Sequence, residues 1–489
     1  MSDDRRIHAP DLLLAWGMTL LWGCAALHPL DNAPPSSARP WKAPDMPAYS
    51  AELAATERAR EPAVSVDPEK TYALSELIDL AQRTNPETRV AWERARQAAI
   101  AVGLAEGTYY PALAAAATGA VVHVPLPLPQ TFTVIPNAVT ADARFVIPAL
   151  SLEWILLDFG RRGALVDAAR ALTMEAIAGF NAKHQQIVFG VTREFHALTA
   201  VRGKVAAARA ALTAAQSLED AAGVRKQHGL ATLPEALQAQ EETARATYDL
   251  EDALAAEHDA RMELLETIGI RPGTPIEIAD DSQEPLPSAL EESVDEAIDR
   301  ALSQRPDLIA GLASLRAKEA EVRRARADYW PRLVARSAVA GNIGELKVDD
   351  GAFQSVHGLQ YDGGFRFEWS LFEGFERRNK VRLAESMRQE AEDELDHAKD
   401  KAVREVWKAY DDTKVALVKH RAATALLAAS EKAWAATLDS YRNGLATFPD
   451  VRESERNLTR ARTLDQAARA EVLTRAAAFA FSTGDLARP

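Results

Sequence analysis

Two carboxylates beside a turn are the residues of this chain whose types and spacing best suit the binding of cations. Asp450 and Glu453 are three residues apart, so on a helix they would share one face. Several copies of such a pair around one opening would attract cations and would disfavour full ionisation of the acids. Acids are also favoured in the first turn of any helix by its dipole. The sequence alone leaves both interpretations open.

The remaining residues offer no catalytic arrangement. The histidines are scattered, with no H-E-x-x-H or Cys-His cluster, and no phosphate-binding or dinucleotide-binding glycine loop occurs. Six methionines are too few for a Met-rich copper tract. We therefore predict that the chain is not an enzyme and has no metal site and no cofactor.

The segment that carries the two acids occurs twice. Residues 441–450 read YRNGLATFPD, and residues 226–235 read KQHGLATLPE. In each copy Gly can take the left-handed position after a helix, Thr can cap the next helix, and Pro follows in its first turn. Both segments are predicted to be turns of helical hairpins. Glu235 is the counterpart of Asp450, whereas Gln238 stands in place of Glu453.

The repeat extends beyond the turns. Asn-Pro at 85–86 corresponds to Arg-Pro at 305–306, and Tyr-Pro at 110–111 corresponds to Trp-Pro at 330–331, both with an offset of 220 residues. The two turns are offset by 215 residues, from Gly229 to Gly444. These offsets predict an internal duplication with a small difference in loop length.

A period-two pattern follows each aromatic-Pro pair. Apolar residues alternate with polar ones at Phe365, Phe367, Trp369 and Leu371, and a matching run contains Leu150, Leu152, Trp154 and Leu156. Such alternation is typical of a strand with one apolar face. We predict one strand hairpin in each half, at about 113–157 and 333–372, with loops at 125–144 and 345–359. Trp154 and Trp369 fit either an aromatic girdle at a membrane interface or ordinary strand aromatics.

The strands are followed by very long helical patterns. From Arg161 to His228 the chain could form a helix about 100 Å long, at roughly 1.5 Å per residue. A helix of that length needs neighbours, and its Ala-rich faces suit close side-by-side packing. Each half is therefore predicted to contain one long helical hairpin.

Composition excludes some partners. The chain has 489 residues, with 57 basic and 71 acidic residues and a net charge of −14. A nucleic-acid-binding protein needs clustered Lys and Arg, so this balance argues against nucleic acid. No stretch after the N-terminus reaches the ~20 consecutive apolar residues of a membrane-spanning helix.

The N-terminus has the pattern of a secretory signal. An apolar run from Leu12 to Leu21 ends in Leu-Trp-Gly-Cys at 21–24, which resembles the lipobox of bacterial lipoproteins. We expect residues 1–23 to be removed and Cys24 to carry lipid; an ordinary signal with an incidental cysteine is the alternative. No Asp follows Cys24, so the resemblance points to the outer membrane. Residues 24–70, rich in Pro and Ala, are predicted to be extended.

Together these residues resemble the TolC-type outer-membrane efflux channel (outer membrane factor) family, in its lipoprotein subgroup. The motifs match in order and twice: Asn-Pro or Arg-Pro, aromatic-Pro, a strand Trp, Arg-Arg, then Gly-Leu-Ala-Thr. The resemblance implies an α+β membrane protein in which a long α-helical barrel, or coiled-coil tunnel, is joined to a transmembrane β-barrel. It also implies closure by trimerisation, which agrees with the physical argument that four strands are too few to close, since about eight are needed.

The implied domain order is a first repeat at 71–290, a second repeat at 291–484 and a tail at 485–489. The implied function is the outer-membrane channel of a tripartite efflux or type I secretion system. Its expected partners are two further copies of the chain, a periplasmic adaptor, an inner-membrane pump and outer-membrane lipid. A periplasmic adaptor or a coiled-coil structural protein is the alternative, although neither accounts for duplicated strand hairpins.

The resemblance also assigns roles to residues at the turns. It implies a periplasmic gate, and the matching residues are Tyr441, Asp450 and Glu453. An Arg of the family's gate is replaced here by Ala446. The exposed turn residues are expected to contact the adaptor: Gly229, Leu230, Thr232, Gly444, Leu445 and Thr447.

Overall fold

The computed structural model describes residue 38 and residues 46–59, 66–127, 138–229, 231–280, 286, 289–290 and 292–486. The chain divides into two units, at residues 1–65 and 66–489. Helix α1, Met46–Ala59, belongs to the first unit. The prediction of an extended segment at 24–70 is therefore wrong for these residues. Their run of Ala, Glu and Leu favours a helix once the prolines before it are passed.

The second unit contains two series of elements in the same order. The first series is β1 (Thr71–Tyr72), α2 (Leu74–Thr84), α3 (Pro86–Gly107), β2 (Ala112–Pro127), β3 (Ala138–Leu157), α4 (Arg161–Gln227) and α5 (Leu233–Ile268). The second series is β4 (Glu277–Ile278), α6 (Val294–Gln304), α7 (Pro306–Ala327), β5 (Arg332–Val348), β6 (Gln354–Glu368), α8 (Glu376–Arg442) and α9 (Phe448–Thr483).

Equivalent helices of the two series have equal lengths. α4 and α8 each contain 67 residues, and α5 and α9 each contain 36. The change of offset from 220 to 215 must therefore arise between α3 and α4, in the strand hairpin. Helices α4 and α8 begin at Arg161 and Glu376, which fixes the alignment of Arg162 with Arg377.

The four long strands form one antiparallel sheet in the order β2-β3-β5-β6. The strand register divides their side chains between two faces. The apolar face carries exposed large side chains, and the polar face carries charged ones. The apolar face includes Leu113, Leu150, Trp154, Val339, Ile343, Leu359, Tyr361, Phe365 and Phe367. The polar face includes Ser151, Glu153, Arg336, Gln360, Asp362 and Arg366.

The strands are longer than predicted at one end and shorter at the other. Residues 125–127, 138–144, 345–348 and 354–359 are strand, so the two predicted loops were too long. Apolar alternation is interrupted there because the apolar face of β5 carries Glu345 and Lys347 beyond Ile343. Pro125 is tolerated because β2 is an edge strand. β6 ends at Glu368, so Trp369 and Leu371, which were predicted to belong to the strand, lie beyond its end.

The sheet is tied to the helices by the same contacts in both halves. The indole N–H of Trp154 donates to the Tyr109 carbonyl at 2.8 Å, and that of Trp369 donates to the Tyr329 carbonyl at 3.1 Å. Arginine side chains stack on the same two tyrosine rings, Arg162 on Tyr109 at 4.9 Å and Arg377 on Tyr329 at 5.3 Å. These contacts account for the repeated Trp, for the Tyr that precedes each aromatic-Pro pair and for one Arg of each Arg-Arg pair.

Each long hairpin ends against the Xaa-Pro step of its own half. Gly269 and Gly484 follow α5 and α9 with φ of 84° and 83°. A Cβ on Gly269 would lie 2.8 Å from the Asn85 Cα, so only glycine fits. The Asn85 amide donates to the Thr267 carbonyl at 2.9 Å, and the Arg305 guanidinium donates to the Ser482 carbonyl at 3.2 Å.

The helices pack in two rows that share α4 and α8. Towards the sheet the order of contacts is α3, α4, α7, α8, and towards the turns it is α5, α4, α9, α8. Small residues such as Ala222, Ala253 and Ala461 are fully buried where the helices touch, which permits close approach. Across the described residues, no helix is both long enough and apolar enough to span a membrane.

Candidate functional site

The two predicted turns lie between helices and come together through a small apolar cluster. Gly229 and Gly444 have φ of 72° and 76°, as the left-handed position after a helix requires. The buried residues of the cluster come from four helices, and Trp434, Leu438 and Ala446 pack around them. They are Leu218, Ala222, Ala239, Tyr441, Phe448 and Val451.

Tyr441 joins one hairpin to the other. Its side chain is 3% exposed, and its hydroxyl donates to the Glu235 carboxylate at 2.9 Å. Burial, together with this hydrogen bond, raises the pKa of Tyr441 to about 12. The hydroxyl therefore stays protonated at any physiological pH and remains a hydrogen-bond donor.

Arg225 supports the same tyrosine from the first hairpin. Its guanidinium lies 4.8 Å from the centre of the Tyr441 ring and donates to the Tyr441 carbonyl at 3.3 Å. Ala446, at the position where the resemblance implied a gate arginine, packs on the apolar cluster. Arg225 thus contacts Tyr441 from the helix that precedes the first turn.

Asp450 and its counterpart Glu235 make different contacts. The Asp450 carboxylate accepts from the Thr447 amide at 2.9 Å and from the Thr447 hydroxyl at 2.6 Å. These hydrogen bonds hold the pKa of Asp450 below its usual value. Asp450 thus caps its own helix, whereas Glu235 reaches across to Tyr441.

Asp450 and Glu453 line one groove, as their spacing predicts. The groove, of about 710 Å³, runs between α8 and α9. Its other polar lining residues include Ser430, Thr437 and Asn457, and Asn457 donates to Glu453 at 3.4 Å. Tyr441 does not line this groove. The three predicted gate residues therefore form two groups, a buried link and an exposed acidic pair.

A second link between the hairpins lies one to two turns further along the helices. The Arg456 guanidinium holds the Glu242 carboxylate with two hydrogen bonds, at 3.1 and 2.8 Å. Beside it Glu455 is 9% exposed and accepts from the Thr459 hydroxyl at 2.8 Å. Burial raises the pKa of Glu455 above its usual value.

Sequence reasoning missed Glu235 as the partner of Tyr441, and it missed Arg225, Glu242 and Arg456 altogether. No local motif marks them, since each contact joins residues more than 200 positions apart. Of the turn residues, Leu445 is 84% exposed, and Gly229, Thr232, Gly444 and Thr447 are also exposed. Leu230 lies outside the described residues.

The chain as a whole is similar to known proteins in sequence and in fold. The family model for outer membrane efflux proteins matches residues 77–269 and 297–485, one match for each half. Protein CyaE of Bordetella pertussis is 28% identical over 421 residues, which cover 85% of each chain. A membrane protein from Pseudomonas aeruginosa has a TM-score of 0.71 at 21% identity, covering 85% of this chain and 91% of its own. VceC from Vibrio cholerae has a TM-score of 0.68 at 19% identity, covering 84% of this chain and 96% of its own.

The chain belongs to the outer membrane efflux protein family. The predicted fold, a helical tunnel joined to a β-domain and built by internal duplication, is confirmed by the two family matches and the structural neighbours. The chain is an outer-membrane channel of the efflux and secretion type, not an enzyme. Related channels work with adaptors and inner-membrane pumps in tripartite systems.

Proposed function

We propose that three copies of the chain assemble into one channel, with a closed sheet of twelve strands above a single helical tunnel. The observation that carries this proposal is the pair of unpaired edge strands, β2 and β6, on a sheet of only four strands. Open strand edges are not tolerated in lipid because their backbone groups find no partners there. Pairing β6 of one copy with β2 of the next satisfies both edges.

The helices have open edges as well. On α8 an exposed apolar stripe runs along one side through Trp407, Val415, Val418 and Leu426. On α5, at the other end of the row of helices near the turns, Leu237 and Tyr248 are exposed at 54% and 73%. Residues at these spacings share a helix face. A second copy whose α5 packs on α8 covers both stripes.

The apolar face of the sheet supports contact with lipid. From Leu333 to Ile343 it spans ten residue-to-residue steps, which at ~3.3 Å per step and a tilt of about 40° gives a band roughly 25 Å tall. That height matches the apolar band of outer-membrane strands. The polar face then lines the interior.

The turns are proposed to form a closed gate far from the membrane. Tyr441 and Glu235 hold the two hairpins of each copy together, and Asp450 and Glu453 supply six carboxylates to the opening of a trimer. Fixed charges around a constriction select cations. The exposed turn residues, above all Leu445, are proposed to meet the periplasmic adaptor, since an apolar side chain at a tip is suited to burial by a partner.

Cys24 is proposed to carry lipid at the mature N-terminus. It lies outside the described residues, and the proposal rests on the Leu-Trp-Gly-Cys motif at 21–24. One acyl chain alone gives only marginal membrane binding, so such an anchor would be secondary to the sheet. The mass of the N-terminal peptide of the mature protein tests this.

The assembly is tested by native mass spectrometry of the full chain purified from outer membranes in mild detergent. A mass of three chains supports the proposal. A stable monomer, or recovery of the chain in the soluble fraction, contradicts it. Cross-linking in intact cells, followed by identification of the linked adaptor and pump, tests the partners separately.

A further inference from the structure

The row of helices near the sheet contains one interface inside the chain that has an equivalent between copies. Inside the chain α4 packs on α7, and we term this contact the inner interface. Positions of α4 correspond to α8 with an offset of 215, and positions of α7 correspond to α3 with an offset of 220. The equivalent contact, α8 of one copy with α3 of the next, is termed the outer interface.

The inner interface is held by two ion pairs near the sheet. Arg323 of α7 lies 3.0 Å from the Asp167 carboxylate of α4. Arg161, at the start of α4, lies 3.1 Å from Asp328, which follows α7. In both pairs the two helices contribute opposite charges.

The outer edges carry different residues at the equivalent positions. Arg382 of α8 corresponds to Asp167, and Gly103 of α3 corresponds to Arg323. Arg382 is exposed and makes no ion pair within the described part of the chain. A Cβ added at Gly103 would meet no atom within 4 Å in its own chain. At this position the charge on α8 is thus opposite to the charge on α4, and α3 carries no charge where α7 carries Arg323.

The second pair of the inner interface follows the same rule. Glu376 of α8 corresponds to Arg161, and Thr108, after α3, corresponds to Asp328. Lys380 contacts Glu376 at 2.6 Å and partly offsets its charge. The charge of Glu376 is therefore partly neutralised within α8, whereas no ion pair within the described part of the chain offsets that of Arg382.

The opposite charges of α4 and α8 distinguish α3, the correct neighbour of α8 in the next copy, from α7, an incorrect one. If α8 of one copy took the place of α4 against α7 of another copy, Arg382 would face Arg323 and Glu376 would face Asp328, so both contacts would repel. If α8 packs on α3, Arg382 faces Gly103 and Glu376 faces Thr108, which are small and uncharged. Like charges placed opposite one another disfavour the wrong partner.

A separate set of ion pairs, between α3 and α4 in the first half and between α7 and α8 in the second, also has its charges exchanged between equivalent helices. Arg170 of α4 binds Glu106 of α3 at 2.8 Å, and Arg326 of α7 binds Glu385 of α8 at 2.7 Å. By the same offsets, Arg170 corresponds to Glu385 and Glu106 to Arg326. Exchanging α3 with α7 would therefore place Glu106 opposite Glu385 and Arg326 opposite Arg170. Such exchange is a characteristic misfolding route of repeat proteins.

We propose that these reversed charges fix the order of helices around the assembly, so that α8 accepts only α3 of a second copy of this chain. This inference rests on the proposed assembly of three copies. It assigns Arg382 and Gly103 as facing positions in the outer interface.

The test uses three substitutions of Gly103, which is helical and has free space in its own chain. Gly103→Asp creates an attractive pair with Arg382 of the next copy, Gly103→Arg creates a repulsive one, and Gly103→Ala is the uncharged control. Three exposed ion pairs, each contributing about 1.4- to 5-fold, should shift the trimer-to-monomer ratio about 3- to 100-fold. When the purified trimer is diluted in detergent, we expect Gly103→Asp to be the most stable variant, Gly103→Ala the next and Gly103→Arg the least stable.

A charge-reversal rescue makes the assignment specific. Gly103→Arg combined with Arg382→Asp should restore the trimer lost in Gly103→Arg, because the pair is again attractive. Equal behaviour of all three Gly103 variants in a trimeric wild type, or failure of the rescue, overturns the inference. A wild type that is not trimeric overturns the proposed assembly instead, so the two failures are distinguishable.

Discussion

Tyr441 is the single side chain on which the link between the two hairpin turns depends most. Its buried hydroxyl has a charged acceptor in Glu235, and a hydrogen bond to a charged group contributes about 1.5–3 kcal/mol. Because the pKa of Tyr441 is raised to about 12, its hydroxyl remains a hydrogen-bond donor at the pH of the cell envelope.

Tyr441→Phe removes the hydroxyl and keeps the ring in the apolar cluster. We expect it to weaken the closed state by about 1–3 kcal/mol and to raise the conductance of purified channels in planar bilayers. Glu235→Gln is the matched variant, since it keeps an acceptor and should raise the conductance less. Unchanged conductance in Tyr441→Phe would show that this link does not hold the channel shut.

Glu455 is the group beside the hairpin contacts through which pH can act. Its pKa is raised mainly by burial, so the folded state favours the protonated carboxyl. The resulting stabilisation is complete below the ordinary pKa of 4.5 and is lost as pH rises through the raised value. The charged groups nearest to it are Glu242, Arg456 and Arg462, with Arg452 beside the same small cavity.

Glu455→Gln should therefore remove a pH dependence and not simply change stability. We expect the heat resistance of the wild-type channel to increase as the pH falls from 7 to 5. The heat resistance of the variant should increase less over the same interval. Glu453→Gln, an exposed neighbour, is the control and should follow the wild type. The measurement is the temperature at which the assembled channel dissociates at each pH.

At the scale of elements, the sheet gives a sharp test of which face meets lipid. Val339 and Ala338 are adjacent on β5, near the middle of the apolar band, and point to opposite faces. Val339→Arg should cost about 2–4 kcal/mol because an arginine near the midplane faces lipid. Ala338→Arg faces the polar side beside Asp362 and should be tolerated. Equal amounts of assembled channel in outer membranes for both variants would contradict the assignment of faces.

The elements differ in how well the sequence predicted them. The hairpin turns were predicted correctly because glycine with positive φ, a capping Thr and a following Pro are local requirements. Strand ends were predicted poorly because alternation reports a face only while that face is apolar, and it fails beyond Ile343. Helix α1 was missed because nearby prolines obscured a short run of helix-forming residues.

The side-chain contacts of the candidate site could not be predicted from short sequence motifs, because they depend on how distant helices pack. Tyr441 could point towards Glu235 or into the groove that Asp450 lines, and the outcome depends on how the α4–α5 and α8–α9 hairpins are rotated about their long axes. That rotation is set by the packing of small residues along the whole length of α4, α5 and α9. Sequence spacing therefore grouped Asp450 with Glu453 correctly but could not separate them from Tyr441.

At the scale of the whole molecule, the acidic pair matters only if copies come together. Asp450 is held ionised by Thr447, and Glu453 is exposed on the same groove. In one chain they are two ordinary surface acids. Around the opening of a trimer they would form a ring of six carboxylates, whose field attracts cations and which multivalent cations should bridge.

Asp450→Asn combined with Glu453→Gln removes this charge and retains an acceptor for the Thr447 cap. We expect the double variant to lose cation selectivity and block by divalent cations together, because one ring of charge sets both. Asp249→Asn with Glu251→Gln is the matched control, since it removes the same charge from exposed positions on α5. Reversal potentials in asymmetric salt provide the measurement. If both double variants change selectivity equally, the effect belongs to net charge, and Asp450 and Glu453 act only as residues that begin a helix.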